Sequence, residues 1–305
     1  GKRAAMFDHK VLRYVITVAE EGGFTAAARK LRIAQSAISR QVGSLEEELG
    51  GRLFLRQKNG IEVTEAGQRF LQHAREILTS MGHARDEISS LLGEPSGSVV
   101  IGVPPTAGET LMPELYRICG EKLPAIRLHV RESYSAATYE AVLRKELDMG
   151  LVHDPEPLEE LLILPLVSEQ MHFITHDGWD LPERIPCSWL QDRGLILPDA
   201  AFGLRDLLER YAARNSLKLN ISAAVNGVSI TKAMVASGLG STVLSKSAIT
   251  HEASRNILAS RPLFPELSWQ LCLIMRADRA GNRSFSELHR VMKQVVETLS
   301  RQNVW

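Results

Sequence analysis

The sequence predicts an α/β chain in three parts: an N-terminal winged helix-turn-helix, one long linker helix, and a larger domain of alternating strands and helices. Three observations carry this prediction. Residues 22–45 hold Arg29, Lys30, Arg32 and Arg40 and no acidic residue. Apolar residues then repeat at four-three spacing through residues 64–92, and from Ser98 onward short β-branched runs alternate with helical patterns. A length of 305 residues suits two or three domains with sizeable cores.

The first helix is expected over His9 to Glu21, where Val11, Leu12, Val15, Ile16 and Ala19 keep a helical period and Gly22-Gly23 stops it. Thr25 is placed to cap a short alanine-rich second helix over Ala26 to Leu31. After Arg32-Ile33-Ala34 a third helix runs from Gln35 to Leu49 and stops at Gly50. Its Ile38, Val42, Leu45 and Leu49 face a core, while Gln35, Ser36, Ser39, Arg40 and Gly43 form an acid-free opposite face. Such a face suits a DNA major groove, because Gln and Arg reach purine edges with two hydrogen bonds and Ser suits phosphates or bases. Glu46, Glu47 and Glu48 fall at the far end. Leu53 to Arg56, a turn at Gln57-Lys58-Asn59-Gly60, and Ile61 to Val63 read as a two-stranded wing. Arg56 and Lys58 on it would reach the DNA backbone or minor groove. Charge agrees: residues 1–92 carry 14 basic and 11 acidic residues in a chain with 36 of each.

The stretch FTAAARKLRIAQSAISRQVGSLEEELGGRLFLR followed by VTEAGQRFL resembles the DNA-binding signature of LysR-type transcriptional regulators. The resemblance covers the first 90 residues closely and the remainder in layout. It implies a regulator with a winged helix-turn-helix, a dimerising linker helix, and a two-lobed, periplasmic-binding-protein-like effector domain. It carries base and phosphate contacts onto Gln35, Ser36, Ser39, Arg40 and Arg56, with Thr25 and Thr64 as helix-start backbone contacts. Ser36 stands where the family commonly has proline. The Pro-Pro-Thr at 104–106, with LDMGLVHDP and LILPDAAFGLRDLLERYA, is similar to the branch that includes the nitrogen-assimilation-control regulators.

In the linker, Phe70, Ala74, Ile77, Met81, Ala84, Ile88 and Leu91 form a heptad seam on a helix roughly 43 Å long. Phe70, Ile77, Met81, Ile88 and Leu91 are the expected dimer contacts, since two recognition helices must reach half-sites a DNA turn or more apart. The expected parts are 6–63 for DNA binding, 64–97 for the linker and its Gly93–Gly97 hinge, and 98–305 for the effector domain. By the layout that the resemblance implies, its lobe I would cover about 98–167 and 269–305, and lobe II about 168–268.

In the effector domain, strands are expected at Ser98–Val103, Arg127–Arg131, Met149–Val152, Leu162–Val167, His172–Thr175, Leu195–Leu197, Ala223–Val225, Thr242–Leu244 and Trp269–Met275, in a mostly parallel sheet. Helices are expected at Pro105–Cys119, Tyr139–Glu146, Leu204–Ala213, Ile230–Ser237 and Phe285–Leu299. Ligands in such lobes sit beyond the strand carboxyl ends, against helix N-termini. Candidate contacts are Pro105 and Thr106; Tyr134 and Ser135, in a segment resembling the family's effector loop; Phe202, Gly203 and Arg205; and Asn226. Arg205 suggests a small organic anion, whereas Glu109 and Glu132 argue against a highly charged one.

Competing chemistries lack parts. His251-Glu252 begins like a zinc-protease helix, but Arg255 replaces the second histidine, and Gly227-Val228-Ser229 lacks the closing glycine of a nucleophile elbow. No enzyme activity, metal or cofactor is therefore expected beyond the effector. With no membrane-length apolar run, no secretory cleavage pattern and three scattered cysteines, the expected setting is the cytoplasm, with no membrane partner. The expected partners are double-stranded DNA, the effector, RNA polymerase, and further copies of the chain as a homodimer assembling to a homotetramer. The alternative is a small-ligand-binding protein whose N-terminal helices serve assembly, which would not require the acid-free face.

Overall fold

The computed structural model describes residues 8–57, 60–176 and 180–305, without the side chains of 83, 86, 87 and 89–92. It divides into two compact units, one ending at Asp86 and one spanning Glu87–Trp305.

In the first unit, α1 (His9–Glu20) is capped by Asp8, whose carboxylate accepts the Lys10 N–H at 3.1 Å. α2 (Phe24–Leu31) ends where Arg32 adopts φ 56°, and α3 (Gln35–Leu49) where Gly50 adopts φ 71°. The wing pairs β1 (Phe54–Gln57) with β2 (Gly60–Val63), antiparallel, and α4 (Glu65–Leu92) follows. Val15, Val18, Ile38, Val42, Leu53 and Phe54 form the core, and the small Ala27 and Ala28 let α2 approach it closely. One expectation needs correction. α2 starts at Phe24 with Gly23 as its cap, so Thr25 lies inside the first turn. The Phe24 ring packs edge-on against Phe54 at 5.9 Å, which draws Phe24 into the helix. Glu46, at the far end of α3 as expected, is buried and accepts the Leu53 N–H at 2.7 Å and the Phe54 N–H at 3.1 Å. Lys58 lies outside the described residues.

The second unit runs β3 (Gly97–Val103), α5 (Pro105–Lys122), β4 (Ile126–Glu132), α6 (Ser135–Leu143), β5 (Met149–His153) and β6 (Leu161–His176). There follow β7 (Ile185–Pro186), α7 (Trp189–Asp192), β8 (Leu195–Leu197), α8 (Gly203–Arg214), β9 (Ile221–Ala224), α9 (Val228–Ala236) and β10 (Thr242–Ser245). A short 3-10 turn (Lys246–Ile249) leads to α10 (Thr250–Ser254), β11 (Leu258–Phe264), β12 (Ser268–Arg276) and α11 (Arg283–Arg301). The main sheet has the order β4-β3-β5-β12-β6-β11-β7, with β10 also on β6.

β6 serves two lobes. Its residues 161–170 pair with β12, and 171–176 pair with β10 and β11. One core gathers Val99, Ile101, Leu111, Leu273 and Val295, and another Phe173, Leu195, Leu208 and Val243. The expected pair of strands at 162–167 and 172–175 is thus one strand. Its polar centre needs no loop because Glu169 is buried with four hydrogen-bond donors around it, and Pro165 is accommodated where the ladder to β12 shifts register. The sheet is mixed, since β12 runs antiparallel to β5 and β6 and β11 antiparallel to β6. β11 escapes the sequence pattern because Arg261 and Pro262 interrupt it. α6 begins at Ser135, a turn earlier than the apolar spacing from Tyr139 suggests. Among the described residues no helix is long and apolar enough to cross a membrane.

Candidate functional site

Two regions gather the candidate residues, one in each unit. On α3, Gln35, Ser36 and Arg40 are exposed and Ser39 is half-buried. The wing brings Arg56 to them: its Nη2 donates to Ser39 Oγ at 3.1 Å, and the guanidinium lies 5.7 Å from the Phe24 ring centre. Thr25 is exposed in the first turn of α2. Thr64 has a task inside the chain: its hydroxyl donates to the Arg52 carbonyl at 2.7 Å and accepts the Gly67 N–H at 2.9 Å. It caps α4 and ties that helix to the base of the wing. Gly67 permits the approach, because a Cβ there would lie 2.2 Å from the Leu53 carbonyl oxygen.

Along α4, Ala74 is buried and Phe70 packs against the core of its own unit, which removes Phe70 from the exposed seam. Ile77, Met81 and Ile88 remain exposed, at 39%, 51% and 56%. The side chain of Leu91 lies outside the described ones.

The second region is a cavity of about 790 Å³ between the lobes of the second unit. Four helices begin on it, α5, α6, α8 and α9; in none does the N-cap residue's own side chain bond the first turn, and the Val228 N–H of α9 faces the Tyr134 hydroxyl. Asp8, Thr64 and Asn282 cap α1, α4 and α11, whereas α2, α3, α7 and α10, which also start away from the cavity, have no side-chain cap either. Pro105 and Thr106 line the cavity at α5, Tyr134 and Ser135 at α6, Phe202 and Gly203 at α8, and Asn226 before α9. Tyr134 joins the lobes: its hydroxyl donates to the Asn226 carbonyl, and its ring meets Phe202 edge-on at 4.8 Å. Burial pushes the Tyr134 hydroxyl up from its ordinary pKa, opposed by the Val228 N–H. The Asn226 side chain is held by Asp199, donating to its carboxylate at 2.8 Å and accepting its N–H at 3.0 Å.

Arg205 is not part of the lining. Its guanidinium donates to Glu209 at 2.8 Å and to the Pro198 carbonyl at 3.2 Å, a pairing one helical turn away that its spacing favours. Arg210 lines the cavity instead, paired with Asp206 at 3.1 Å. Glu109 pairs with Lys232 at 2.9 Å, and Glu252 binds the same amine at 2.8 Å. Burial draws the Lys232 pKa down, but the two carboxylates outweigh it and hold it above the usual lysine value.

His153, Glu169 and Trp269 have no counterpart in the sequence reading. His153 and Trp269 line the cavity, with the imidazole stacked on the indole at 3.8 Å. Behind them, Glu169 contacts His153 Nε2 at 2.7 Å and accepts from Trp269 at 3.2 Å, Ser247 at 2.9 Å and Trp305 at 2.8 Å. Burial alone would raise the Glu169 carboxyl, but these donors, His153 foremost, hold it below the usual range. The placement of His153 at the carboxyl end of β5 was the signal in the sequence, whereas Glu169 sits mid-strand and gave none.

Comparison with known proteins places both regions in one context. Residues 9–68 match the model of the bacterial regulatory helix-turn-helix protein, lysR family, and residues 92–297 that of the LysR substrate binding domain. The nitrogen assimilation regulatory protein nac of Klebsiella aerogenes is 28% identical over 295 residues, covering 96% of each chain. The regulator BbuR of Bordetella bronchiseptica is 27% identical over 303 residues, 98% of this chain and 93% of that protein. The crystal structure of full-length CbnR complexed with its target DNA superposes with TM-score 0.74 at 19% identity, covering 95% of this chain and 100% of that one. Full-length OxyR from Pseudomonas aeruginosa gives TM-score 0.69 at 24% identity, with 95% and 97% covered.

Proposed function

Because the chain belongs to the LysR family of DNA-binding transcriptional regulators, with a helix-turn-helix and an effector-binding domain, we propose a specific division of labour among its residues. Gln35, Ser36, Ser39 and Arg40 read base edges in the major groove, while Arg56 and Lys58 on the wing and Thr25 at the start of α2 hold phosphates. The exposed seam of Ile77, Met81 and Ile88 pairs two copies of the chain, and two such dimers assemble into a tetramer that meets RNA polymerase in the cytoplasm. The chain carries out no reaction of its own.

The effector is a compact organic anion with an apolar body, held in the cavity between the lobes. The observation that carries this reading is the convergence of four helix starts, two from each lobe, on one cavity. Free N–H groups at helix starts favour negative charge. Tyr134, Phe202 and Trp269 give the walls an aromatic character, while Glu140, Asp154, Glu156 and Asp206 restrict the ligand to low charge. An effector that binds better to one lobe arrangement than another shifts the protein toward it, and so changes how the DNA is held.

The test is a titration of the protein against its own upstream intergenic DNA and a scrambled control at two salt concentrations. Tighter binding to the upstream DNA, weakening steeply with salt, is the expected result. Equal binding to both sequences with and without a panel of small organic anions would overturn base reading by α3.

A further inference from the structure

The Ser135–His153–Glu169 chain connects the cavity wall to the junction of the lobes. The Ser135 Oγ accepts the His153 backbone N–H at 3.1 Å and lies 3.4 Å from His153 Nδ1, while Nε2 faces Glu169 at 2.7 Å. The His153 side chain is 5% exposed and that of Glu169 fully buried. Ser247, Trp269 and Trp305 also donate to Glu169, so its carboxylate is fixed as an acceptor and His153 must present an N–H at Nε2. The opposite nitrogen, Nδ1, then decides what Ser135 offers the cavity. With a neutral imidazole, Nδ1 is an acceptor and the Ser135 hydroxyl donates to it. With an imidazolium, Nδ1 donates to Ser135 and the hydroxyl proton is released toward the cavity.

We propose that the cleft takes up one proton, on His153, when it binds a carboxylate at the start of α6, with Glu169 as the positioning residue that keeps the imidazole in register. This rests on the organic-anion reading of the same cavity. A carboxylate is an acceptor, so it favours the state in which Ser135 donates, and its charge favours the imidazolium beside it. Glu169 already balances that cation in the buried interior. A ligand that presents a hydroxyl or ammonium there meets the Ser135 acceptor and takes up no proton.

The surrounding charges do not replace His153 in this role. Among the described residues Glu169 is the one carboxylate within ion-pair distance of it. Asp154, on the same chain turn, accepts the Gln270 N–H at 3.0 Å, and Glu156 follows it. α6 contributes Tyr139 and Glu140, with Tyr134 ahead of it, and β12 contributes Cys272, whose thiol burial and then Asp154 push up. Lys246, beside Ser247, donates to the Asn303 carbonyl at 2.8 Å. Across the cavity α8 carries the Asp206–Arg210 pair.

The experiment is isothermal titration of the full chain with a panel of aromatic monocarboxylates (benzoate, phenylacetate, 3-phenylpropionate) and their primary amides, between pH 5.5 and 8.5, in two buffers of different ionisation enthalpy. The expected result is proton uptake on carboxylate binding, read as a binding enthalpy that differs between the two buffers, and an affinity that weakens as pH rises. Amides that bind take up none. His153→Gln and Glu169→Gln, each checked for a native circular dichroism spectrum and melting transition, should bind the carboxylate with no proton uptake and a flat pH profile. Carboxylate binding without proton uptake, or the same uptake in His153→Gln, would overturn the linkage while leaving the anion reading intact. Binding of no carboxylate, or of amides alone, would overturn both.

Discussion

Glu46 shows how a single side chain decides whether the wing stands. Its carboxylate satisfies two buried backbone N–H groups and meets Arg52 at 2.9 Å. Glu46→Ala strands those donors, which should cost about 2–5 kcal/mol in a denaturant titration. Arg40 has the opposite character: it is exposed and forms no ion pair among the described residues, so Arg40→Ala should leave stability nearly unchanged. It should weaken binding to the specific site by about 1–3 kcal/mol and to scrambled DNA by less. Loss of the same size on both sequences would remove Arg40 as a base reader. His172 gives a pH signature. Burial, then the nearby Lys246 and Arg261, bring its pKa down to about 4. The unfolded chain therefore takes up a proton below about pH 6.5 that the folded chain refuses until about pH 4. Stability should fall across that window and not above it, and His172→Gln should flatten the difference in melting temperature between pH 7 and pH 5. At this scale the polar face of α3 was legible in the sequence because exposure follows from helical spacing. The burial of Glu46 and Glu169 was not, because an acidic residue reads as solvent-facing until its donors, six or more residues away, are known.

Among the elements, α4 is one whose start and later turns differ in burial. Its start is anchored by Thr64, Gly67, Leu71 and Ala74, and beyond them Ile77, Met81 and Ile88 are bare. A paired charge substitution, Met81→Glu with Ile88→Glu, should leave the melting of the single chain nearly unchanged and shift the protein to monomer in analytical ultracentrifugation. A dimer that persists would move the interface off α4. The heptad was legible from spacing, but the assignment of Phe70 to it was not reliable, because a seam residue near a domain can equally face that domain. Likewise the strand signals of β3, β5, β8 and β10 were plain, and β6 was divided in two only because its polar centre looks like a break. α6 was placed late for a related reason: the small residues Ser135, Ala136 and Ala137 carry no apolar period, yet they begin the helix at the cavity.

For the whole molecule, the sequence conveyed a helix-turn-helix region and an α/β region, since each has its own periodicity. The mixed sheet was out of reach, because strand direction depends on which strands meet, and β12 meets β5 and β6 only after residues 177–267 have intervened. That insertion of β12 has a further consequence during synthesis. On the ribosome, β5 and β6 emerge early but leave a vacant position between them, which stays unfilled until residues 268–276 follow. The first lobe is thus begun before the second and finished after it. Its nascent edges must stay unpaired throughout that interval, so slowing elongation between β6 and β12 should increase capture by chaperones and aggregation.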